Sequence, residues 1–143
     1  MVGQEVIDGL DLVRDVLSTT DASIVVVKNS QIIIKKTGKG IRPIIETLDE
    51  LDNNMQGCII GDRILGKASA LLCRYANVTA VYSPQGTKTA IAILIIGGVA
   101  CQVDEMIPFI NNRDGTGLCP FEKMLEGITS PEEAYKILKN NIK

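Results

Sequence analysis

The chain has 143 residues, 45% hydrophobic and 22% charged, a balance that suits one globular domain spanning 1–143 with a real apolar core. Its net charge of −2 excludes a general nucleic-acid binder, because displacing counterions from phosphates needs a basic footprint. Aromatic residues make up only 3% and Trp is absent, so the core must be built from Ile, Leu, Val and Ala.

The first eight residues are polar and acidic, unlike a secretion signal. The longest apolar run, 90–103, is interrupted by Gly97-Gly98 and is too short to cross a bilayer, so no membrane role is expected. Cys58, Cys73, Cys101 and Cys119 are widely spaced and form no C-x-x-C pair. Without a secretion signal they read as reduced thiols in a soluble, cytoplasmic protein.

Over 3–17, Val6, Leu10, Val13 and Leu17 recur at helical spacing, which predicts an amphipathic helix. The β-branched runs 23–27 and 31–35 flank Asn29-Ser30 and read as a tight hairpin. Gly38 and Gly40 end the hairpin in a basic stretch, 35–42, fit for one anion or for plain solvation. Pro43 near the start of 42–51, with Ile44, Ile45, Leu48 and Leu51, predicts a short helix. A buried strand over 57–60, a helix over 65–75 and a strand over 78–82 follow. Ser83-Pro84-Gln85-Gly86 then reads as a turn into an apolar helix over 87–96, capped by Gly97-Gly98 before a last strand over 99–103. After an irregular stretch, 107–118, helices start near Pro120 and Pro131. The second has Ser130 as N-cap and Glu133 three residues on.

A hairpin followed by strand–helix alternation predicts an α/β fold, a three-layer α/β/α sandwich around a mixed five-stranded sheet. A ligand crevice belongs beyond the carboxyl ends of its parallel strands.

Three segments leave strands there. The first, Gly61-Asp62-Arg63-Ile64-Leu65-Gly66-Lys67-Ala68, nearly satisfies the phosphate-loop pattern. Ala68 stands where a hydroxyl must hold Mg²⁺, and Ser69 is one residue late, so nucleotide hydrolysis is not expected. An anion at the helix N-terminus, aided by Lys67, remains one reading, and a glycine-punctuated turn the other. The second, Ser83 to Lys88, falls where zinc deaminases carry P-C-x-x-C. Gln85 and Lys88 occupy the cysteine positions, the preceding helix start offers no His, Cys or Glu, and the chain has no His at all. Zinc-dependent deamination is therefore excluded on chemical grounds, and neither metal nor cofactor is expected. In the third, 111–122, Gly115 and Gly117 let backbone N–H groups converge, Arg113 can hold an anion, and Cys119 sits at a helix N-cap that favours the thiolate. Asp114 and Glu122 are its candidate acid–base partners. The alternative is a capping signature made by Pro120 and Glu122.

These segments, together with Ile41-Arg42-Pro43-Ile44-Ile45-Glu46, resemble the family known as domain of unknown function 1893, whose members look like cytidine-deaminase-fold proteins. The resemblance covers nearly the whole chain and rests most on the block from Asn112 to Glu122. It implies the three-layer fold and no assigned substrate. It also implies that Asp62, Lys67, Arg113, Thr116, Cys119 and Glu122 occupy positions of the family pattern.

Two functions follow from the residues. In one, the crevice holds a small-molecule, nucleotide-like metabolite through Gln85, Arg113, Asp114, Thr116 and Glu122, or serves self-association as a homo-oligomer. In the other, Cys119 and Lys67, tuned by Asp62, act without metal on a small anionic substrate.

Overall fold

The computed structural model describes residues 3–111 and 117–142. Helix α1 (Gln4–Thr19) buries Leu10, Val13 and Leu17 along one face. Gly9 lets that face sit down on Ile59, whose side chain occupies the space a Cβ would need. Strands β1 (Ile24–Lys28) and β2 (Gln31–Lys36) pair antiparallel. Asn29 and Ser30 between them both take positive φ, 52° and 64°, as a two-residue hairpin turn requires. Helix α2 (Arg42–Leu51) carries Pro43 in its first turn, and a short 3₁₀ turn (Asp52–Met55) leads to β3 (Ile59–Asp62).

The chain continues through β4 (Ile64–Leu65), α3 (Lys67–Tyr75), β5 (Ala80–Thr87), α4 (Lys88–Ile96), β6 (Ala100–Ile107), α5 (Pro120–Met124) and α6 (Pro131–Asn141). The N-cap expected at Ser130 is present: its Oγ accepts the Glu133 N–H at 3.3 Å. The α4 helix is capped in the same way by Thr87, whose Oγ1 accepts the Ala90 N–H at 3.1 Å.

The sheet runs β2-β1-β3-β5, with β4 on the same side of β5 as β3 and β6 on the other side. Strand β1 is antiparallel to both neighbours, while β3, β4 and β6 are parallel to β5. Alternate residues of one strand therefore serve different layers. Val25, Val27, Ile59, Ala80 and Tyr82 face α1. Ile24, Val26, Ile60 and Val81 face the layer built by α2, α3, α4 and α6. This is the three-layer α/β/α arrangement with a mixed sheet.

Among the described residues the sheet has six strands rather than five, and the sixth has a specific origin. Ser83 to Gly86, read from sequence as a turn, continue β5, and the extension gives the two residues of β4 something to pair with: Ile64 with Gln85 and Leu65 with Gly86. Pro84 has no N–H to donate, yet the ladder to β6 passes over it, pairing Ser83 with Val103 and Gln85 with Glu105. Ser83 Oγ donates to the Gln85 carbonyl at 2.6 Å and accepts the Gln85 N–H at 3.2 Å, so the hydroxyl supplies local bonds beside the proline. The last strand likewise runs to Ile107, four residues past its expected end. Helix α3 begins at Lys67, because residues 64–65 belong to the sheet.

Candidate functional site

In sequence 61–68 looks like a loop wrapped around phosphate; in space it is a strand end tied to both helical layers. Gly61 points at α1, where a Cβ would lie 2.9 Å from Val13 Cβ and 3.0 Å from Leu17 Cδ1. Arg63 reaches the same layer. Its guanidinium donates to the carbonyls of Leu17 (2.7 Å) and Thr20 (2.9 Å) at the carboxyl end of α1, oxygens the helix itself cannot bond, and to that of Ala22 (2.8 Å) on the way into β1.

Asp62, between them, points the other way, toward α3. It is 7% exposed, and its Oδ2 has no hydrogen-bond partner among the described residues. Burial pushes its carboxyl up to about 7; hydrogen bonds from Ser69 and the backbone of Ile64 pull it down in part, and the charge of Glu122 adds to the rise. The same pocket of low polarity reaches Cys73, whose thiol is raised by its own burial first and then by Asp62 and Cys101.

The N-terminus of α3 already holds an anion, and the chain supplies it. Glu122 Oε1 accepts the N–H of Lys67 at 2.8 Å and Oε2 accepts that of Ala68 at 2.9 Å. The bidentate carboxylate thus takes up two of the free donors at the positive end of the helix dipole. Gly66 makes this fit possible: a Cβ there would overlap Glu122 Oε1 and Ile110 Cδ1. Lys67 completes the knot by donating from Nζ to the carbonyl of Leu125 at 2.7 Å. The anion position, one of the two readings of this stretch, is filled from within by Glu122, and Lys67 takes a backbone carbonyl as its partner.

The described part of the third strand-exit segment, 111 and 117–122, lies at this corner. Asn111 and Leu118 form an isolated antiparallel bridge, and the Cys119 N–H bonds the Ile110 carbonyl at 2.9 Å. Cys119 is the N-cap of α5 as expected, half-buried, with a carbonyl that accepts the N–H of Glu122 at 3.0 Å. The α5 helix has only five residues, so little dipole stands behind that thiol. Arg113, Asp114 and Thr116 lie outside the described residues. Gln85 sits beside Ile64 in the ladder and donates from Nε2 to Glu105 Oε1 at 2.8 Å. Lys88, the other position aligned with a zinc cysteine, is exposed in the first turn of α4.

The structure therefore brings Asp62, Lys67, Glu122 and Cys119 to one corner, with Gln85 nearby on β5. Sequence reasoning missed Arg63, Ser69, Ile110 and Leu125. The signal for Arg63 was strand alternation: continuing β3 by two residues puts Gly61 and Asp62 on opposite layers. Leu125 contributes a backbone oxygen, which no side-chain motif announces.

Two cavities, of about 370 and 480 Å³, open at the other end of α3 around Tyr75 and Asn77. Neither is lined by Asp62, Glu122 or Cys119. Among the described residues no three His, Cys, Asp or Glu side chains gather as for a metal ion, and no helix is long and apolar enough to cross a membrane.

No curated protein matches the chain. A crystal structure of a DUF1893 family protein, TM1506 from Thermotoga maritima, has the same fold, with a TM-score of 0.87 at 24% identity over 99% of this chain and 93% of that one. The RibD protein of Acinetobacter baumannii overlaps in part, with a TM-score of 0.47 at 16% identity over 69% of this chain and 34% of that one. Residues 12–142 match the model of the family described as TM1506, domain of unknown function DUF1893, and the chain belongs to that family.

Proposed function

We propose that this protein binds a small, nucleotide-like metabolite at the carboxyl ends of its parallel strands, against the corner made by Asp62, Gln85, Cys119 and Glu122. The observation that carries the reading is the Oδ2 of a buried Asp62, which has no partner among the described residues, on a carboxyl poised near neutrality. An orphaned buried oxygen costs stability unless something occupies it, and perturbed carboxyls of this kind gather at functional sites. Lys67 and the α3 N-terminus are already committed to Leu125 and Glu122, so the corner is better suited to a ligand that donates an N–H or amino group than to an anion. Arg113, Asp114 and Thr116 are proposed to complete the site from the adjoining segment. The alternative, metal-independent catalysis by Cys119 and Lys67 on a small anionic substrate, requires the Lys67–Leu125 contact to break first, and binding is preferred for that reason.

Thermal unfolding with a panel of free bases, nucleosides and small amines tests the proposal. A ligand at a hundred times its Kd adds about 2.7 kcal/mol, or several degrees in Tm for a domain of this size. The wild type should respond to at least one such donor and Asp62→Asn should lose that response. A panel that shifts nothing, or an Asp62→Asn variant that responds equally, overturns it.

A further inference from the structure

We propose that the outer face of α4 and the free edge of β6 bind a second copy of this chain across a two-fold axis, joining two sheets edge to edge. The sequence of α4 is apolar from Ala90 to Ile96, yet only Ala90 and Leu94 are buried. Ile95 and Ile96 are 63% and 79% exposed, Ala92 is exposed, and Ile91 is half-buried. At 100° per residue, positions 91, 92, 95 and 96 form one stripe turned away from the core, with a small residue in it that admits close approach. The adjoining strand β6 pairs only with β5 among the described residues, which leaves one side of its backbone unpaired. Stripe and edge together offer on the order of 500 Å² per copy, about what the smaller specific interfaces use.

The distribution of charge favours a second copy over other occupants. No charged residue occurs between Lys88 and Asp104, so two such faces meet without repulsion. Asp104 and Glu105 at the end of β6 oppose an anionic membrane surface. Ala100 packs toward α1 and Asp104 bonds Arg14 of that helix, while Cys101 and Val103 pack toward α4 and its layer. A two-fold axis perpendicular to the sheet keeps the layers aligned only if the pairing centres on a residue. Centred on Val103, it sets Gln102 opposite Asp104, Cys101 opposite Glu105 and Ala100 opposite Met106. Asp104 then never faces Asp104, and each edge carboxylate finds a neutral neighbour. The same symmetry runs the two α4 helices antiparallel, which brings Lys88 of one copy toward the carbonyl end of the other's helix.

Sedimentation equilibrium of the full chain at micromolar concentration reads the outcome. The wild type should be a dimer, and Ile95→Glu with Ile96→Glu should make it a monomer with an unchanged far-ultraviolet spectrum. Gln102→Glu, which faces Asp104 with a like charge in this register, should weaken the dimer about tenfold or more, and Gln102→Lys should not weaken it. A monomeric wild type, a doubly substituted variant that still dimerises, or a dimer indifferent to Gln102→Glu each overturns the proposal. So does a wild type that stays monomeric and sediments with phosphatidylserine vesicles.

Discussion

Asp62 and Arg63 are consecutive residues at the end of one strand, and their charges meet opposite fates. Arg63 turns toward α1 and spends its guanidinium on three carbonyl oxygens within 2.9 Å. Asp62 turns toward α3, more deeply buried, and keeps one oxygen without a partner among the described residues. The strand pleat explains the direction each takes, and the surroundings explain the outcome: the end of a helix offers spare acceptors to a cation, whereas the N-terminus of α3, which offers spare donors, has been filled by Glu122. One charge closes a structural joint. The other is left open, and a residue left open in the interior is the better guide to function.

The largest effect is expected at Arg63. Hydrogen bonds to charged groups contribute more than neutral ones, so Arg63→Ala, which removes three at a half-buried position, should lower stability by about 3 to 4 kcal/mol with no effect on ligand response. Chemical denaturation of the variant checks this. A loss below about 1 kcal/mol would mean that water replaces the guanidinium freely and that Arg63 is no joint.

Asp62→Asn should move stability the other way. With a carboxyl at about 7 in the folded protein and 3.8 as reference, the folded state holds this proton more tightly than the unfolded chain does. Stability from this group is thus intact below the unfolded value, declines as pH rises from about 4 to 7, and is flat above that. The full cost of ionisation is at most about 4 kcal/mol, so Asn should stabilise the protein by about 2 to 3 kcal/mol at pH 8 and by little at pH 4. Denaturation of both proteins across that range gives the difference curve. A variant destabilised at pH 8 would show that the ionised carboxylate is wanted where it is.

What the sequence disclosed about this corner divides along physical lines. Local rules that depend on a few neighbouring residues were legible: the Asn29-Ser30 turn, the Ser130 cap, the apolar face of α1 and the layered α/β pattern all follow from spacing and short-range sterics. Features set by distant partners were not. Gln85 and Gly86 read as part of a turn because their strand pairing comes from β4 and β6, which lie on either side of β5. The Gly61–Lys67 stretch left two readings open, an anion site aided by Lys67 or a glycine-punctuated turn, and what occupies the α3 N-terminus is a carboxylate of the chain itself. That the carboxylate belongs to Glu122, 55 residues from Lys67, is a tertiary fact. Asp62 looked like a modulator of Lys67 because charged residues are rarely buried; its depth follows from strand alternation carried two residues past the expected end of β3.

Glu122 links the two halves of the comparison and gives the smallest, most discriminating test. Replacing it by Gln keeps the shape but removes the charge from the α3 N-terminus and puts an amide donor against one backbone N–H, so about 1 to 2 kcal/mol of stability should be lost. Its charge is also among the causes that raise the Asp62 carboxyl, although burial is the larger one. Glu122→Gln should therefore lower the Asp62 pKa slightly and leave it well above an ordinary carboxylate, as a carbon-13 titration of the Asp62 carboxyl would show. A fall to the ordinary range would assign the shift to charge repulsion, and the two carboxyls would then have to be treated as one coupled acid–base pair. No movement would place Glu122 beyond electrical reach of Asp62, making the cap purely structural and leaving Asp62 alone as the group a ligand must satisfy.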